Sequence, residues 1–161
     1  MMDDVGIATG ANIQEVLADL LQERGYPAEN YATTLAQAGY TGRAAGKGFY
    51  RYEGGKRKRE IDPQVKTLLG LPAQPSGSPA AVARRILLLL INEAHRCLAE
   101  GILRSPDDGD IGAVFGFGFP PYLGGPFWYA GALGHEALVH ELEALEAEFG
   151  PRFAPATGIK P

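Results

Sequence analysis

Two glycine–aromatic cassettes interrupt a chain whose apolar residues otherwise recur at helical spacing, and they limit the folds open to it. The first is Gly42-Arg43-Ala44-Ala45-Gly46-Lys47-Gly48-Phe49-Tyr50-Arg51-Tyr52. The second runs from Asp110 to Phe127 through Gly116-Phe117-Gly118-Phe119-Pro120-Pro121-Tyr122-Leu123-Gly124-Gly125-Pro126. Glycine reaches backbone conformations that other residues avoid, and large rings can cover the tight turns that result. Neither cassette brings a nucleophile, an acid–base pair or a metal-ligand set. Both read as architecture.

The segments around them read as helices. Ile13, Val16, Leu17, Leu20 and Leu21 predict an amphipathic helix from Asn12 to Arg24, stopped by Gly25. Pro27 opens a shorter helix carrying Tyr31 and Leu35 and ending near Gly39. Phe49 to Tyr52, Gly54-Gly55 and the basic run Lys56-Arg57-Lys58-Arg59 predict a small extended or hairpin segment near 49–60. Asp62-Pro63 opens a short helix through Leu69, and Gly70 to Ser78, with Pro72 and Pro75, reads as a linker. Ser78-Pro79 caps the longest helix, which reaches Glu100 and is closed by Gly101. Its apolar face is expected to comprise Val82, Ile86, Leu89, Leu90 and Cys97, widened by Leu87 and Leu88 for contact on more than one side.

Further helices are expected over Asp107–Phe115, after Gly125-Pro126, and over His135–Phe149 with Leu138, Leu142, Leu145 and Phe149 inward. From Pro151 the chain reads as a loosely held tail. Strands and helices do not alternate, so a parallel sheet is not expected and the fold class is all-α.

Composition narrows the function. Across 161 residues, 45% hydrophobic and 21% charged content suits a folded globular chain, and a net charge of −4 disfavours general nucleic-acid binding. The longest apolar run, Ile86 to Ile91, is too short to span a bilayer, and the expected location is the cytoplasm. Cys97, the one cysteine, reads as a buried thiol in a helix. His135 and His140 are five residues apart and so about 140° apart around a helix, which does not let them converge on one metal ion. Neither Gly46-Lys47-Gly48 nor Gly116-Phe117-Gly118 continues as a dinucleotide fingerprint: the first lacks a third glycine and the second meets Pro120-Pro121. The basic run Lys56 to Arg59 reads as a solvated segment guarding an exposed edge. No residue is expected to be catalytic, to bind a cofactor or to hold a metal.

The cassettes resemble the C-terminal part of the long, multifunctional 3-hydroxyacyl-CoA dehydrogenases, of the fatty acid oxidation complex alpha subunit type. The resemblance rests on Met1 to Gly10, on Gly46, Gly48, Phe49 and Tyr50, on Asn92 and Glu93, and on Gly118, Pro120, Pro121, Gly124, Gly125 and Pro126. It implies a duplicated helical domain like the C-terminal domain of 6-phosphogluconate dehydrogenase. Residues 1–70 would then be the end of a first repeat truncated at its start, and residues 71–161 a second repeat.

The implied parent oxidises (S)-3-hydroxyacyl-CoA to 3-ketoacyl-CoA with NAD and is fused to enoyl-CoA hydratase; a thiolase subunit is a partner the family admits. In the family an asparagine opens the corresponding helix of the first repeat and lines the catalytic site. In the second repeat that position falls on Arg84, so the role does not carry over. Glu93 and Arg85 are expected to be polar clamps to neighbouring helices. The fragment itself is expected to be an inactive scaffold that binds no NAD and pairs as a homodimer through apolar surface around residues 13–35. The competing reading is a stand-alone interaction module without enzymatic activity.

Overall fold

The computed structural model describes residues 1–26, 29–72 and 77–159. The helix start expected at Pro27 and the middle of the expected Gly70–Ser78 linker lie outside the described residues. Elements follow in the order α1 (Met2–Val5), α2 (Ile7–Val16), α3 (Ala18–Glu23), α4 (Tyr31–Gln37), β1 (Tyr50–Glu53), β2 (Lys56–Ile61), α5 (Pro63–Leu68), α6 (Pro79–Ala99), α7 (Pro106–Gly112), α8 (Pro126–Leu133) and α9 (His135–Phe149). The fold is mainly helical, and the one sheet among the described residues is the antiparallel β1–β2 hairpin. No described helix is long and apolar enough to cross a membrane. Two compact units are formed, Met1–Ser76 and Gly77–Pro161.

In the first unit, Ile7, Ala11, Ala32, Leu35, Tyr40 and Val65 are buried together, with Phe49 and Leu69 packed against them. The expected Asn12–Arg24 helix is instead two helices that break at Leu17, and the first begins at Ile7. Its buried face is Ile7 and Ala11, one turn apart, whereas Val16 is 84% exposed and Ile13 and Leu20 are about half exposed. The reason lies in how α2 meets α4. Asn30 accepts from the Thr33 amide to cap α4 and donates to the Ala11 carbonyl at 3.2 Å. That junction brings Ala11 inward and turns the larger apolar residues out.

The hairpin closes on Gly54 and Gly55, both at positive φ (55° and 75°), as a two-residue turn between right-twisted strands requires. The basic run is therefore strand β2, exposed throughout. Lys58 pairs with Glu53 at 2.5 Å, and Arg57 lies 4.5 Å from the centre of the Tyr50 ring. Asp62 then caps α5 by accepting from the Gln64 amide and also pairs with Arg51.

In the second unit, the Ser78 hydroxyl accepts from the Ala81 amide and Pro79 takes the first turn of α6. The face that α6 buries is Leu88, Ile91, Asn92 and His95. Val82, Ile86 and Leu90, expected to be core, are exposed. Apolar residues run nearly all round this helix, so periodicity alone does not select the buried stripe; α8, α9 and the residues beyond α9 do. Helix α7 ends at Gly112, earlier than expected, and the backbone widens into a π turn over Ala113–Phe117 that Gly118 stops in the left-handed region (φ 79°).

The loosely held tail is overturned. Phe153, Ala156 and Ile159 are buried in one core with Leu88, Ile91, Ala130, Leu138 and Leu142. Asn92 fixes this segment by donating to the Ala154 carbonyl (2.9 Å) and accepting from the Ala156 amide (2.8 Å). Arg96 donates to the same carbonyl at 2.8 Å. Phe153→Ala is expected to destabilise the second unit by about 3–5 kcal/mol, because it empties a filled core site. Urea unfolding followed by near-ultraviolet dichroism checks this, and a shift within error would mean the tail is not core.

Candidate functional site

The glycine cassettes close around carboxylates from the chain itself. In the first, the buried side chain of Asp3 accepts from the amides of Phe49 (2.9 Å) and Tyr50 (3.0 Å) and from the Tyr52 hydroxyl (3.0 Å). Burial, and then the hydrogen bond to Asp3, raise the Tyr52 phenol above its ordinary pKa, since ionising it would set two anions side by side. The glycines make this approach possible. A Cβ on Gly48 would lie 2.5 Å from an Asp3 carboxylate oxygen, and one on Gly42 the same distance from the Asp3 carbonyl.

The second cassette repeats the device. Asp110 accepts from the amides of Phe127 (2.7 Å) and Trp128 (3.0 Å), in the first turn of α8, where a carboxylate satisfies otherwise unpaired N–H groups. Gly125, at φ 130°, has no side chain to collide with Asp110. Gly124 likewise leaves room for the Trp128 ring. Pro126 is buried at the start of α8, while Pro120 and Pro121 lead into a single 3-10 turn, Pro121–Leu123. Gly46 ends another 3-10 turn at φ 74°.

These contacts bear on whether a dinucleotide fits. The Phe49 and Tyr50 amides face Asp3, the Gly48 amide donates to the Tyr50 carbonyl and the Gly46 amide to the Arg43 carbonyl. Donors of the first cassette that could face a pyrophosphate are thus turned to other acceptors. A polar cluster sits beside the first one: Tyr40, Arg51, Gln64 and Asp62 are linked by hydrogen bonds, and the Lys47 ammonium lies 4.7 Å from the Tyr40 ring centre.

The sequence-derived residues on α6 part company. Asn92 is the tail clamp described above. Glu93 has Arg96 of its own helix at 3.6 Å among its contacts. Arg85 does reach across, lying 4.2 Å from the centre of the Phe149 ring on α9. The clamp missing from the sequence reading is Arg84. Its guanidinium forks onto both oxygens of Glu141 on α9 (2.8 and 2.6 Å) and donates to the Tyr129 hydroxyl on α8 at 2.5 Å. Each partner stabilises the other's charge, so the Arg84 pKa is raised by Glu141 and the Glu141 pKa is lowered by Arg84.

His95 is buried, with Nδ1 2.9 Å from the Ile91 carbonyl and its ring tilted against Phe127 at 4.7 Å; burial lowers its pKa. Cys97 is half-buried, contrary to the buried thiol expected. His135 and His140 lie at the start and in the body of α9, and no cluster of three metal-type ligands occurs among the described residues. Asp3, Asp110 and Arg84 are the residues that sequence reasoning missed. Asp110 stood at the head of its cassette as a signal, but Asp3 meets its partners from more than forty positions away, with |i−j| = 46 to Phe49.

A double-mutant cycle on Arg84 and Glu141 is expected to give a coupling of about 0.5–1 kcal/mol at neutral pH, reduced because both groups are partly exposed. Glu141 has a lowered folded-state pKa, so this contribution is complete above the ordinary carboxylate pKa. It is lost as pH falls through the lowered value. Coupling that persists unchanged in acid would contradict the ion pair.

Residues 1–52 match the family model "3-hydroxyacyl-CoA dehydrogenase, C-terminal domain". The fatty acid oxidation complex subunit alpha of Vibrio campbellii is 44% identical over 159 residues, which is 99% of this chain and 22% of that protein. The subunit of the same name from Shewanella loihica is 46% identical over 155 residues, 96% of this chain and 22% of that protein. The chain spans about 22% of the length of these curated relatives. Among solved structures, the dehydrogenase part of multifunctional enzyme 1 from C. elegans superposes with a TM-score of 0.58 at 21% identity, covering 90% of this chain and 35% of that one, a likeness of fold. The chain is thus similar, over nearly its whole length, to fatty acid oxidation complex alpha subunits, and over residues 1–52 to the C-terminal domain of 3-hydroxyacyl-CoA dehydrogenases.

Proposed function

We propose that this chain is the helical C-terminal scaffold of a multifunctional β-oxidation enzyme. Its parent oxidises (S)-3-hydroxyacyl-CoA to 3-ketoacyl-CoA with NAD, carries enoyl-CoA hydratase elsewhere and associates with a thiolase subunit. The observation that carries this reading is 44–46% identity to fatty acid oxidation alpha subunits along almost the entire chain. Two features support a scaffold over a reaction centre: the amides of both cassettes are occupied by Asp3 and Asp110, and Arg84 is held by Glu141 and Tyr129. We assign NAD and acyl-CoA to the remainder of the parent. Residues 1–70 and 71–161 are proposed as the end of a first repeat and a second repeat, and the shared carboxylate-in-cassette device supports that duplication.

The test is complementation. The purified chain should form no NADH from 3-hydroxyacyl-CoA and NAD. An alpha subunit such as that of Vibrio campbellii, shortened by the matching region, should lose turnover and regain it when the chain is added. Steady NADH formation by the chain alone would sink the scaffold reading, as would a folded, shortened subunit that gains nothing.

A second reading, an interaction surface that pairs two copies, is favoured by the exposed stripe Ile13, Val16 and Leu20 on α2 and α3. Apolar stripes of this kind tend to be covered by association, most simply about a two-fold axis. Light scattering should report a dimer that Val16→Glu converts to monomer without lowering the unfolding temperature. A monomer in the parent sequence at high concentration counts against this reading.

A further inference from the structure

The basic run forms one strand of its hairpin, and the outer edge of that strand is open. Strand β1 has a neighbour on each side. One is β2; on the other side Lys47 bridges to Arg51, and the Tyr52 amide donates to the Gly46 carbonyl at 2.9 Å. Strand β2 has β1 alone among the described residues. Opposed residues of an antiparallel pair exchange both of their main-chain bonds or neither. Tyr52 turns its amide away from β2, so the residue opposite it, Arg57, turns its own N–H and C=O onto the open edge. Tyr50 likewise gives its carbonyl to the Gly48 amide, and the residue opposite it, Ile61, faces the same way as Arg57. Every residue of β2 is exposed. Along it, Lys58 reaches Glu53 and Arg57 stacks on Tyr50, whereas Lys56 and Arg59 enter no ion pair among the described residues. Arg43 donates to the Gly55 carbonyl at 3.1 Å and brings a further cation to the turn.

We propose that the open edge of β2 takes up an acidic, extended peptide segment of a partner as a third strand. Main-chain bonds form at Arg57 and Ile61, and the carboxylates of the peptide lie beside Lys56 to Arg59. An open row of N–H and C=O groups is complemented by another strand. Charge then selects which strand. Successive side chains of a strand leave on opposite faces, so Arg57 shares a face with Tyr52, and Lys56 and Lys58 share the other with Glu53. A lipid surface or a nucleic acid duplex would meet one face's share of this charge, whereas an adjoining strand presents carboxylates to both. A second copy is disfavoured, since β2 beside β2 sets like charges opposite each other. The basic run thus guards its edge against copies of itself and against neutral strands, and admits an acidic one. A two-stranded hairpin is marginal alone, and a third strand adds to its ladder.

The full chain is titrated against a fluorescein-labelled peptide of alternating Glu and Val, read by fluorescence anisotropy. A second peptide has each Val replaced by Pro, which keeps the charge and breaks the ladder. A single-stranded oligonucleotide and phosphatidylglycerol vesicles are titrated alongside. We expect saturable binding of the Glu–Val peptide, roughly tenfold weaker for the proline peptide, as the loss of one or two main-chain hydrogen bonds implies. Added salt should weaken it. Arg57→Pro should bind roughly threefold or more weakly than Arg57→Gln, because glutamine removes the charge alone and proline removes the outward N–H as well. Hydrogen exchange on the unaltered chain gives a reading that no variant enters. The Arg57 and Ile61 amides should exchange about tenfold more slowly at saturating peptide.

No binding, equal affinity for the proline peptide, or unchanged exchange at Arg57 and Ile61 would each overturn the proposal. Tighter binding to the oligonucleotide or the vesicles than to the Glu–Val peptide at physiological salt would overturn it in favour of a polyanionic partner. None of these readings uses dehydrogenase turnover or complementation, so the strand-docking edge stands or falls apart from the scaffold assignment.

Discussion

A carboxylate taken out of water must be given back its hydrogen bonds, and the first unit of this protein is organised around meeting that demand; the second uses a half-buried carboxylate in a similar way. Asp3 is only 5% exposed and accepts from two amides and a phenol. Leaving such a charge buried and unpaired costs several kcal/mol, so the donors have to arrive together. They do so because Gly42 and Gly48 let backbone pass where any side chain would collide. The capture ties α1 to the start of β1 within the first unit. Asp110 performs the same task for α8 with Gly125 as the residue that steps aside. The first cassette is thus the donor half of a two-part lock whose acceptor is Asp3, while the second carries its acceptor, Asp110, at its own head.

This explains which features were legible in the sequence. Caps written within four residues were plain: Asp62-Pro63 and Ser78-Pro79 open helices as expected, and Gly54-Gly55 closes the hairpin. Those signals are local, because a cap or a turn needs only its own neighbours. Asp3 carried no such sign, since its partners are brought near only by the fold. The buried face of α6 was also hidden. A helix with apolar residues on every side offers several equivalent stripes, and the choice of Leu88 and Ile91 over Val82 and Ile86 is made by what packs against it.

The tail shows the same limit from the other direction. Pro151, Pro155 and Gly158 look like punctuation, and they interrupt the three-residue spacing of Phe153, Ala156 and Ile159 before it can read as a helix. Yet these residues complete the core, and Asn92 supplies the polar contacts that an irregular segment needs in order to be buried. An asparagine is well suited to this, because one side-chain amide can donate to a carbonyl and accept from an amide at once. Asn92 thus satisfies the backbone of the segment that follows α9.

Arg84 completes the contrast. The family resemblance puts a site-lining asparagine at this position in the first repeat. Here a longer, permanently charged side chain spans from α6 to both α8 and α9 through Glu141 and Tyr129. An asparagine cannot make that span, and an arginine so engaged has little freedom to turn toward a substrate. Arg84 thus holds three helices of the second unit together, α6 to α8 through Tyr129 and α6 to α9 through Glu141.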